Sequence, residues 1–178
     1  ASCVCRAVLS GLLCCVGRGR WRVFVWGVTF DKSGGEGFCG FMRRLARQGA
    51  VLGARCTGSH LVARAGLLDN RRCTIHWENL GGFAEEFPEI EVSSDIYEID
   101  RDRVTCSVGT AALDMMLHLI GRQHGQTIAN DVSEQFIHAR IRHRHNPQRM
   151  ELRARLGASH PKRIAVTRGR EANPEGPL

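Results

Sequence analysis

The sharpest chemical pattern in the chain is a cysteine placed where a strand is expected to turn into a helix. Residues 54–58 read ARCTG, with Cys56 between a short apolar run and a helical pattern. This strand–turn–helix context is that of a nucleophile elbow, which presents one side chain at the edge of an α/β sheet. A thiol suits that position, because the partial positive charge of a helix N-terminus lowers the pKa of a cysteine.

A histidine could serve as the base for that thiol. His76 ends the next predicted strand, residues 73–77, and could therefore reach the same sheet edge as Cys56. A Cys–His pair is the minimal set for acyl transfer or thiol addition. A plainer interpretation has Cys56 fitting a tight turn and His76 packed as an aromatic-like side chain. Because no third group that would orient the base is evident, spacing leaves both interpretations open.

The other chemistry-bearing clusters lack the spacing that their chemistry needs. His143 and His145 lie five and seven residues after His138, so the three do not share a helix face as ligands at i and i+4 would. We interpret them as the solvated end of a basic helix. The glycines of residues 34–37 match neither phosphate-loop pattern, and no C-x-x-C pair occurs. We therefore predict no metal site and no cofactor.

Alternating strand and helix patterns position these residues. Strand patterns cover 21–28, 50–55, 73–77, 90–92, 96–99 and 103–107, and helical patterns cover 38–48, 59–65, 78–87, 110–124 and 126–142. The alternation predicts an α/β fold with a mostly parallel sheet and helices on both faces. Reactive groups in such sheets lie at the carboxyl ends of strands, and the turns after Val28, Arg55 and Ser107 qualify.

Apolar spacing also predicts which helix faces are buried, because residues at i, i+3, i+4 and i+7 share one face. The three predicted faces are Phe38, Phe41, Met42 and Leu45; Leu113, Met116, Leu117 and Ile120; and Ile128, Val132, Phe136 and Ile137.

Charge is distributed unevenly along the 178 residues. Residues 1–137 hold 15 basic and 15 acidic groups, whereas residues 138–178 hold 10 basic and 3 acidic groups, so the net +7 lies in the tail. A uniformly basic nucleic-acid coat is excluded. The tail fits an electrostatic arm or, as its composition favours, a solvated linker. The apolar run 7–17 is too short to span a bilayer and lacks the strongly basic start of a signal peptide.

Eight cysteines suggest a disulfide set, but their spacing argues against one. Four crowd the first fifteen residues and four are single. Lone cysteines at apolar positions usually act as small buried hydrophobes in a reducing cytosol, so we expect a cytoplasmic protein.

Several long segments resemble one known family. The similarity runs from about Phe38 to Lys162 and includes GAVLGARCTGSHLVARAGLLD (49–69), CTIHWENL (73–80), YEIDRDRVTC (97–106) and GTAALDMMLHLIGRQHG (109–125). These segments resemble the DJ-1/PfpI-like (class I glutamine amidotransferase-like) domain of AraC-type transcriptional regulators, in the GlxA-like group. The amino-acid sequences of these segments are similar to those of regulators of betaine, carnitine and arginine catabolism.

The resemblance implies a flavodoxin-like sensor domain followed by a C-terminal helix-turn-helix domain. It implies a small nitrogenous ligand bound near a set of residues at the sheet edge. These are Cys56, Thr57, His76, Ser107, Gly109 and Thr110. Such regulators are not known as enzymes, so Cys56 is expected to be a pocket residue. The partner that the resemblance implies is DNA, through a C-terminal domain missing from this chain. It leaves a homodimer open and implies no membrane.

Departures from the family define the expected domains. Residues 1–20 are unassigned, because the family carries further βα units before the strand at 21–28. Residues 21–145 are then an N-terminally incomplete sensor domain. Residues 146–178 are a linker and the start of a truncated helix-turn-helix domain, in which Pro174 and Gly176 would disturb the opening helix.

Two alternatives stay open. The chain could be a DJ-1/PfpI-like cysteine hydrolase or glyoxalase-type enzyme using Cys56 and His76, although Thr57 stands where protease-like members place a histidine. It could also be a truncated product without autonomous function, because a missing central strand would expose sheet edges.

Overall fold

The structure is a computed structural model that describes the backbone of residues 4–9, 12–17, 20–26 and 35–149, and the side chains of 36–149. Contacts divide the chain into two compact units, 1–148 and 149–178. The strands are β1 (Val4–Leu9), β2 (Leu12–Gly17), β3 (Arg20–Trp26), β4 (Val51–Arg55), β5 (Arg72–Thr74), β6 (Glu91–Ser93), β7 (Tyr97–Asp100) and β8 (Arg103–Cys106); the α-helices are α1 (Gly35–Arg47), α2 (Gly58–Arg64), α3 (Leu80–Glu86), α4 (Ala111–His124) and α5 (Gln126–Gln135).

The main sheet has parallel strands at its centre and antiparallel strands at both sides. Its order is β1-β2-β3-β4-β8-β7, in which β3–β4 and β4–β8 are the parallel pairs. A smaller sheet pairs β5 with β6, also in parallel. The β7–β8 hairpin closes over Arg101 and Asp102, with Arg101 in the left-handed region at φ 56°. The predicted α/β class is confirmed.

The unassigned N-terminal residues contribute two strands that sequence reasoning did not predict. β1 and β2 form an antiparallel pair, and β2 continues antiparallel onto β3. Two apolar runs of six residues, separated in sequence by short glycine-containing segments, suit such pairing. The sheet is therefore extended on the β3 side by a meander.

Helices cover both faces of the sheet, which confirms the predicted layering. Leu52 and Ala54 of β4 belong to the core cluster that contains residues of α1, α2 and α3. Val104 and Cys106 of β8 belong to the other cluster, with Ala111 and Met115 of α4. Alternate residues of a strand face opposite sides, and the register of β4 with β8 places the two sets on opposite faces.

The first helix matches its predicted face. Met42 is fully buried, and Phe38, Phe41 and Leu45 pack against the same core. Gly49 follows at φ +77°, a conformation that favours glycine and turns the chain toward β4.

The predicted stripe of α4 is partly wrong. Leu117 is buried as predicted, but its buried companions are Ala111, Asp114 and Met115, and Leu113, Met116 and Ile120 are only half-buried. An acidic residue thus takes a fully buried position on this helix, which apolar spacing does not reveal.

The prediction of a helix over 126–142 is wrong in its length. The helix ends at Gln135, and Ile137 shortly after it adopts φ 53°. The Ile137 amide donates to the Glu134 carbonyl, and the His138 amide donates to the Ser133 carbonyl. This is a Schellman motif, which closes a helix at a left-handed residue. The predicted apolar face is also wrong, because Ile128, Phe136 and Ile137 are exposed, the last by 92%.

Two further predictions change in detail. The strand expected over 73–77 is short, since β5 ends at Thr74 and a single 3-10 turn, Trp77–Asn79, precedes α3. The turn after Val28 and the tail resembling a helix-turn-helix opening lie outside the described residues. The domain bounds 1–20, 21–145 and 146–178 stay predictions.

Candidate functional site

The elbow at Cys56 is a sharp corner between β4 and α2. Cys56 has φ 56°, in the left-handed region that residues with a side chain rarely adopt. Its backbone amide donates to the Cys106 carbonyl at 2.9 Å, which ties the corner to the neighbouring strand. Thr57 is half-buried and leads into α2, whose Gly58 and Ser59 are buried. The predicted strand–turn–helix context is confirmed.

The second turn of the site lies at the same sheet edge. Arg55 and Cys106 pair in register as the last residues of β4 and β8, so the segments that follow them leave the sheet side by side. Ser107 is buried and its amide donates to the Ile96 carbonyl at 2.9 Å. Gly109, at φ +67°, and Thr110 are exposed before α4 begins.

The segment that carries His76 is tied to this edge through Thr74. The Ser59 hydroxyl donates to the Thr74 carbonyl at 2.7 Å, and the Thr74 amide donates to the Thr105 hydroxyl at 2.8 Å. Ser59 lies in the first turn of α2 and Thr105 lies in β8, so β5 is anchored from both sides.

The His76 ring itself is engaged elsewhere than at Cys56. Its Nδ1 accepts from the Glu78 amide at 3.4 Å and lies 3.6 Å from the Glu78 carboxylate. The ring also lies against Trp77, with 5.4 Å between centroids. Among residues 36–149, the ring of His76 has its hydrogen bond with the Glu78 amide and its carbonyl accepts from the Asn79 amide, and no hydrogen bond joins His76 to Cys56. The structure therefore assembles Cys56 with the Ser107–Thr110 turn but does not orient His76 as its base.

Two strand cysteines are buried, Cys106 of β8 next to the elbow and Cys73 of β5. Burial raises the pKa of Cys106 to about 12, Arg55 lowers it, and Cys56 adds to the rise. Burial, followed by the charge of Glu98, raises the pKa of Cys73 to about 12. Both thiols stay protonated at neutral pH. Because Cys39, Cys73 and Cys106 are buried, the half-buried Cys56 is the accessible thiol among residues 36–149.

A buried carboxylate that sequence reasoning missed anchors the segment following α5. Asp114 is fully buried and binds His138 and Arg142 through both of its oxygens. The Arg142 Nη2 also donates to the Thr110 hydroxyl at 2.6 Å. A signal was present in the sequence, because an aspartate next to the apolar positions of a helix needs a buried partner.

The prediction of a solvated helix end is only partly right, because His143 and His145 are exposed but all three histidines follow α5 and do not belong to it. His138 follows the helix and its Nε2 lies 2.8 Å from Asp114, while the His145 Nδ1 lies 2.8 Å from Asp95. His143 and His145 have their rings 5.4 Å apart. Within residues 36–149, no three His, Cys, Asp or Glu side chains are grouped so as to hold a metal ion.

Comparison with solved structures assigns the fold to a class. A crystal structure of an AraC family transcriptional regulator from Pseudomonas putida superposes with a TM-score of 0.56 at 26% identity, over 64% of this chain and 62% of that one. A ThiJ/PfpI family protein from Pseudomonas syringae superposes with a TM-score of 0.52 at 26% identity, over 59% of this chain and 43% of that one. The elbow and the sheet that carries it define a DJ-1/PfpI-like domain.

Sequence comparison finds more similar relatives within that class. The HTH-type transcriptional regulator GbdR of Pseudomonas aeruginosa is 46% identical over 152 residues, which are 85% of this chain and 41% of GbdR. Over the matched residues the chain is similar in sequence to AraC-type regulators of the GlxA-like group, which confirms the resemblance predicted from its sequence. It spans about two fifths of the length of the regulators it matches. No family model matches the chain. Among the described helices, none is long and apolar enough to cross a membrane.

Proposed function

We propose that this chain is the ligand-sensing part of an AraC-type transcriptional regulator in the cytoplasm. It binds a small nitrogenous metabolite of betaine, carnitine or arginine type, without catalysis and without a cofactor. The proposed site comprises Cys56, Thr57, His76, Ser107, Gly109 and Thr110. The observation that carries the proposal is the hydrogen bond between the Cys56 amide and the Cys106 carbonyl, which holds the elbow beside the Ser107–Thr110 turn.

Ligand-induced stabilisation tests this proposal. Betaine, carnitine, choline and arginine are each added during thermal unfolding, and one of them is expected to raise the melting temperature. At a hundredfold excess over the dissociation constant, the gain is about 2.7 kcal/mol. That gain corresponds to a shift of roughly 5–10 °C for a chain of this size.

A matched pair of variants localises the effect. Thr57→Val alters the half-buried elbow, whereas Thr127→Val alters an exposed position on α5. The stabilisation should shrink in the first variant and persist in the second. A screen in which none of the four compounds shifts the melting temperature or slows alkylation of Cys56 contradicts the proposal.

DNA recognition belongs, in this proposal, to sequence outside the described residues. The relatives are HTH-type regulators by name and are longer than this chain. Residues 1–178 alone should bind DNA weakly, without sequence preference, and with an affinity that falls steeply as salt increases. A tight, sequence-selective gel shift with this chain would contradict the assignment. The homodimer stays a prediction, which sedimentation equilibrium measures.

The enzyme alternative draws on one observation, the strained left-handed backbone of Cys56, which such nucleophiles share. Against it, the His76 ring pairs with Glu78. We propose that Cys56 is a pocket residue. Iodoacetamide should alkylate Cys56 no faster than it alkylates the cysteine of an unstructured peptide at neutral pH, and a rate many times higher would favour the enzyme.

A further inference from the structure

The segment that follows α5 lies along the carboxyl edge of the sheet. We call residues 138–148 the strap. It follows the Schellman motif that ends α5, and its last residue, Gln148, is also the last residue of the first compact unit. Its hydrogen bonds reach parts of the molecule that are far away in sequence.

The first attachment is a clamp on Asp114. One carboxylate oxygen accepts from the Arg142 amide at 2.7 Å and lies 2.8 Å from the His138 Nε2. The other accepts from the Arg142 Nε at 2.8 Å and Nη2 at 2.7 Å. A fully buried carboxylate is strongly destabilised without such partners, so the clamp holds this part of the strap firmly.

The clamp extends to the proposed ligand site through one guanidinium. The Arg142 Nη2 that pairs with Asp114 also donates to the Thr110 hydroxyl at 2.6 Å. Thr110 precedes α4 and does not cap that helix with its side chain. Its hydroxyl is thus committed to the strap, and a ligand that bonds this hydroxyl has to share it with Arg142 or displace it.

The far end of the strap borders the other two parts of the edge. The Ile96 amide donates to the Arg144 carbonyl at 3.0 Å, and the Ile96 carbonyl accepts from the Ser107 amide at 2.9 Å. One residue thus links the strap to Ser107. The Gln148 amide group donates to the Ile75 carbonyl, next to His76, at 3.1 Å.

We propose that the strap is a latch whose attachment is coupled to occupancy of the edge site through the Arg142–Thr110 hydrogen bond. The proposal rests on the position of the site under the proposed function, but not on any particular ligand. A group placed at the edge shifts the turn that carries Thr110, and the strap loosens. By linkage, loosening the strap changes the free energy of binding at the edge by the same amount as binding changes the attachment of the strap.

Cys56 allows a test with a chemical probe in place of the ligand. The full chain is carboxamidomethylated with iodoacetamide, peptide mass spectrometry verifies the modification of Cys56, and hydrogen exchange of the strap amides is compared with that of the unmodified chain. Exchange of the Arg142 amide should rise about tenfold, as expected when one charge-assisted hydrogen bond no longer holds the segment. Exchange in α1 should not change.

Variants separate the latch from general loss of structure. Thr110→Val removes the acceptor of Arg142 but leaves the Asp114 clamp in place, so it tests the latch without endangering the fold. Arg142→Gln removes both contacts. Arg140→Gln is the matched control, since Arg140 is an exposed strap residue. The first two should raise strap exchange and change the alkylation rate of Cys56 by about threefold or more, and the control should do neither.

Two outcomes would overturn the latch. One is strap exchange that neither Thr110→Val nor modification of Cys56 affects. The other is a Cys56 alkylation rate that is the same in Arg142→Gln and Arg140→Gln. The proposed function can fail separately. If the strap responds but no metabolite stabilises the protein, the proposed function is contradicted and the latch is kept. If a metabolite protects Cys56 and strap exchange does not change, the latch is contradicted and the proposed function is kept.

Discussion

Cys56 occupies a backbone conformation that costs residues with a side chain about 1–2 kcal/mol. The bond of its amide to the Cys106 carbonyl and the start of α2 two residues later hold it there. The sequence indicates this corner, because a strand pattern meets a helix pattern with only ARCTG between them. Strain at such a corner is retained where a side chain has to stand out from the sheet edge.

Replacing Cys56 by glycine should therefore stabilise the protein. We expect Cys56→Gly to raise the free energy of unfolding by about 1 kcal/mol, because glycine adopts the left-handed region without a steric penalty. Urea unfolding measures the change. The control Asn70→Gly, also at positive φ, should gain less because asparagine tolerates that region. A Cys56→Gly protein less stable than wild type would contradict the strain.

Stability at alkaline pH should depend on the buried thiols. The pKa of Cys106 is raised to about 12, chiefly by burial, and so is that of Cys73. Below the ordinary thiol pKa both states are protonated and stability is complete. Between about pH 8.5 and 12 the unfolded chain loses thiol protons that the folded chain keeps, so the free energy of unfolding falls as pH rises.

The test compares urea unfolding at several pH values above 8 in wild type and in Cys106→Ala. In Cys106→Ala the free energy of unfolding should fall less steeply with pH than in wild type, by about 1.4 kcal/mol per pH unit. Burial also raises the pKa of Tyr97, whose contribution is common to both proteins and cancels in the comparison. Equal slopes in the two proteins would show that Cys106 titrates normally.

At the scale of elements, spacing predicts where helices lie better than where they end. The pattern over 126–142 continues an apolar period past Gln135, but Ile137 adopts the left-handed conformation and the Schellman bonds close the helix. The decisive competitor is Asp114, which draws His138 and Arg142 toward α4. A local period contains no information about a partner 28 residues away.

Glycine substitutions at two isoleucines, one inside α5 and one just after it, should change the free energy of unfolding in opposite directions. Ile137→Gly should raise the free energy of unfolding by about 1 kcal/mol, because it relieves the left-handed strain at an exposed position. Ile128→Gly, at a half-exposed position inside α5, should lower it by about 1 kcal/mol through lost helix propensity. Chemical denaturation followed by circular dichroism checks both, and a loss in the two variants alike would contradict the assigned end of the helix.

At the scale of the whole molecule, two cores share one sheet. Leu52 and Val104 belong to different clusters, so each face is stabilised by its own helices. The strap completes the α4 side and joins it to β5 through Gln148, whose amide group donates to the Thr74 hydroxyl at 3.0 Å. The first compact unit therefore ends after these bonds.

Truncation should reveal that boundary. A chain ending at Gln148 keeps the bonds of the strap and should melt within about 2 °C of the full chain, since a change of 1 kcal/mol shifts the midpoint by roughly 2–4 °C at this size. A chain ending at Ile141 loses Arg142, Arg144 and Gln148 and should melt several degrees lower. Equal melting of the two truncated chains would show that the strap contributes nothing.

The amino-acid order determines most of the α/β alternation, the elbow at Cys56 and the family, because each is written in local period or in contiguous motifs. It also predicts that the turns after β4 and β8 share an edge, which follows from parallel pairing alone. It could not predict that His76 faces Glu78, which residues pair with Asp114, or that Arg142 bridges Asp114 and Thr110. The Asp114 and Arg142 contacts join residues 24 to 32 positions apart in sequence, which meet only once the chain has folded. His76 and Glu78 are only two positions apart, but their contact depends on β5 ending at Thr74, three residues before its pattern predicts.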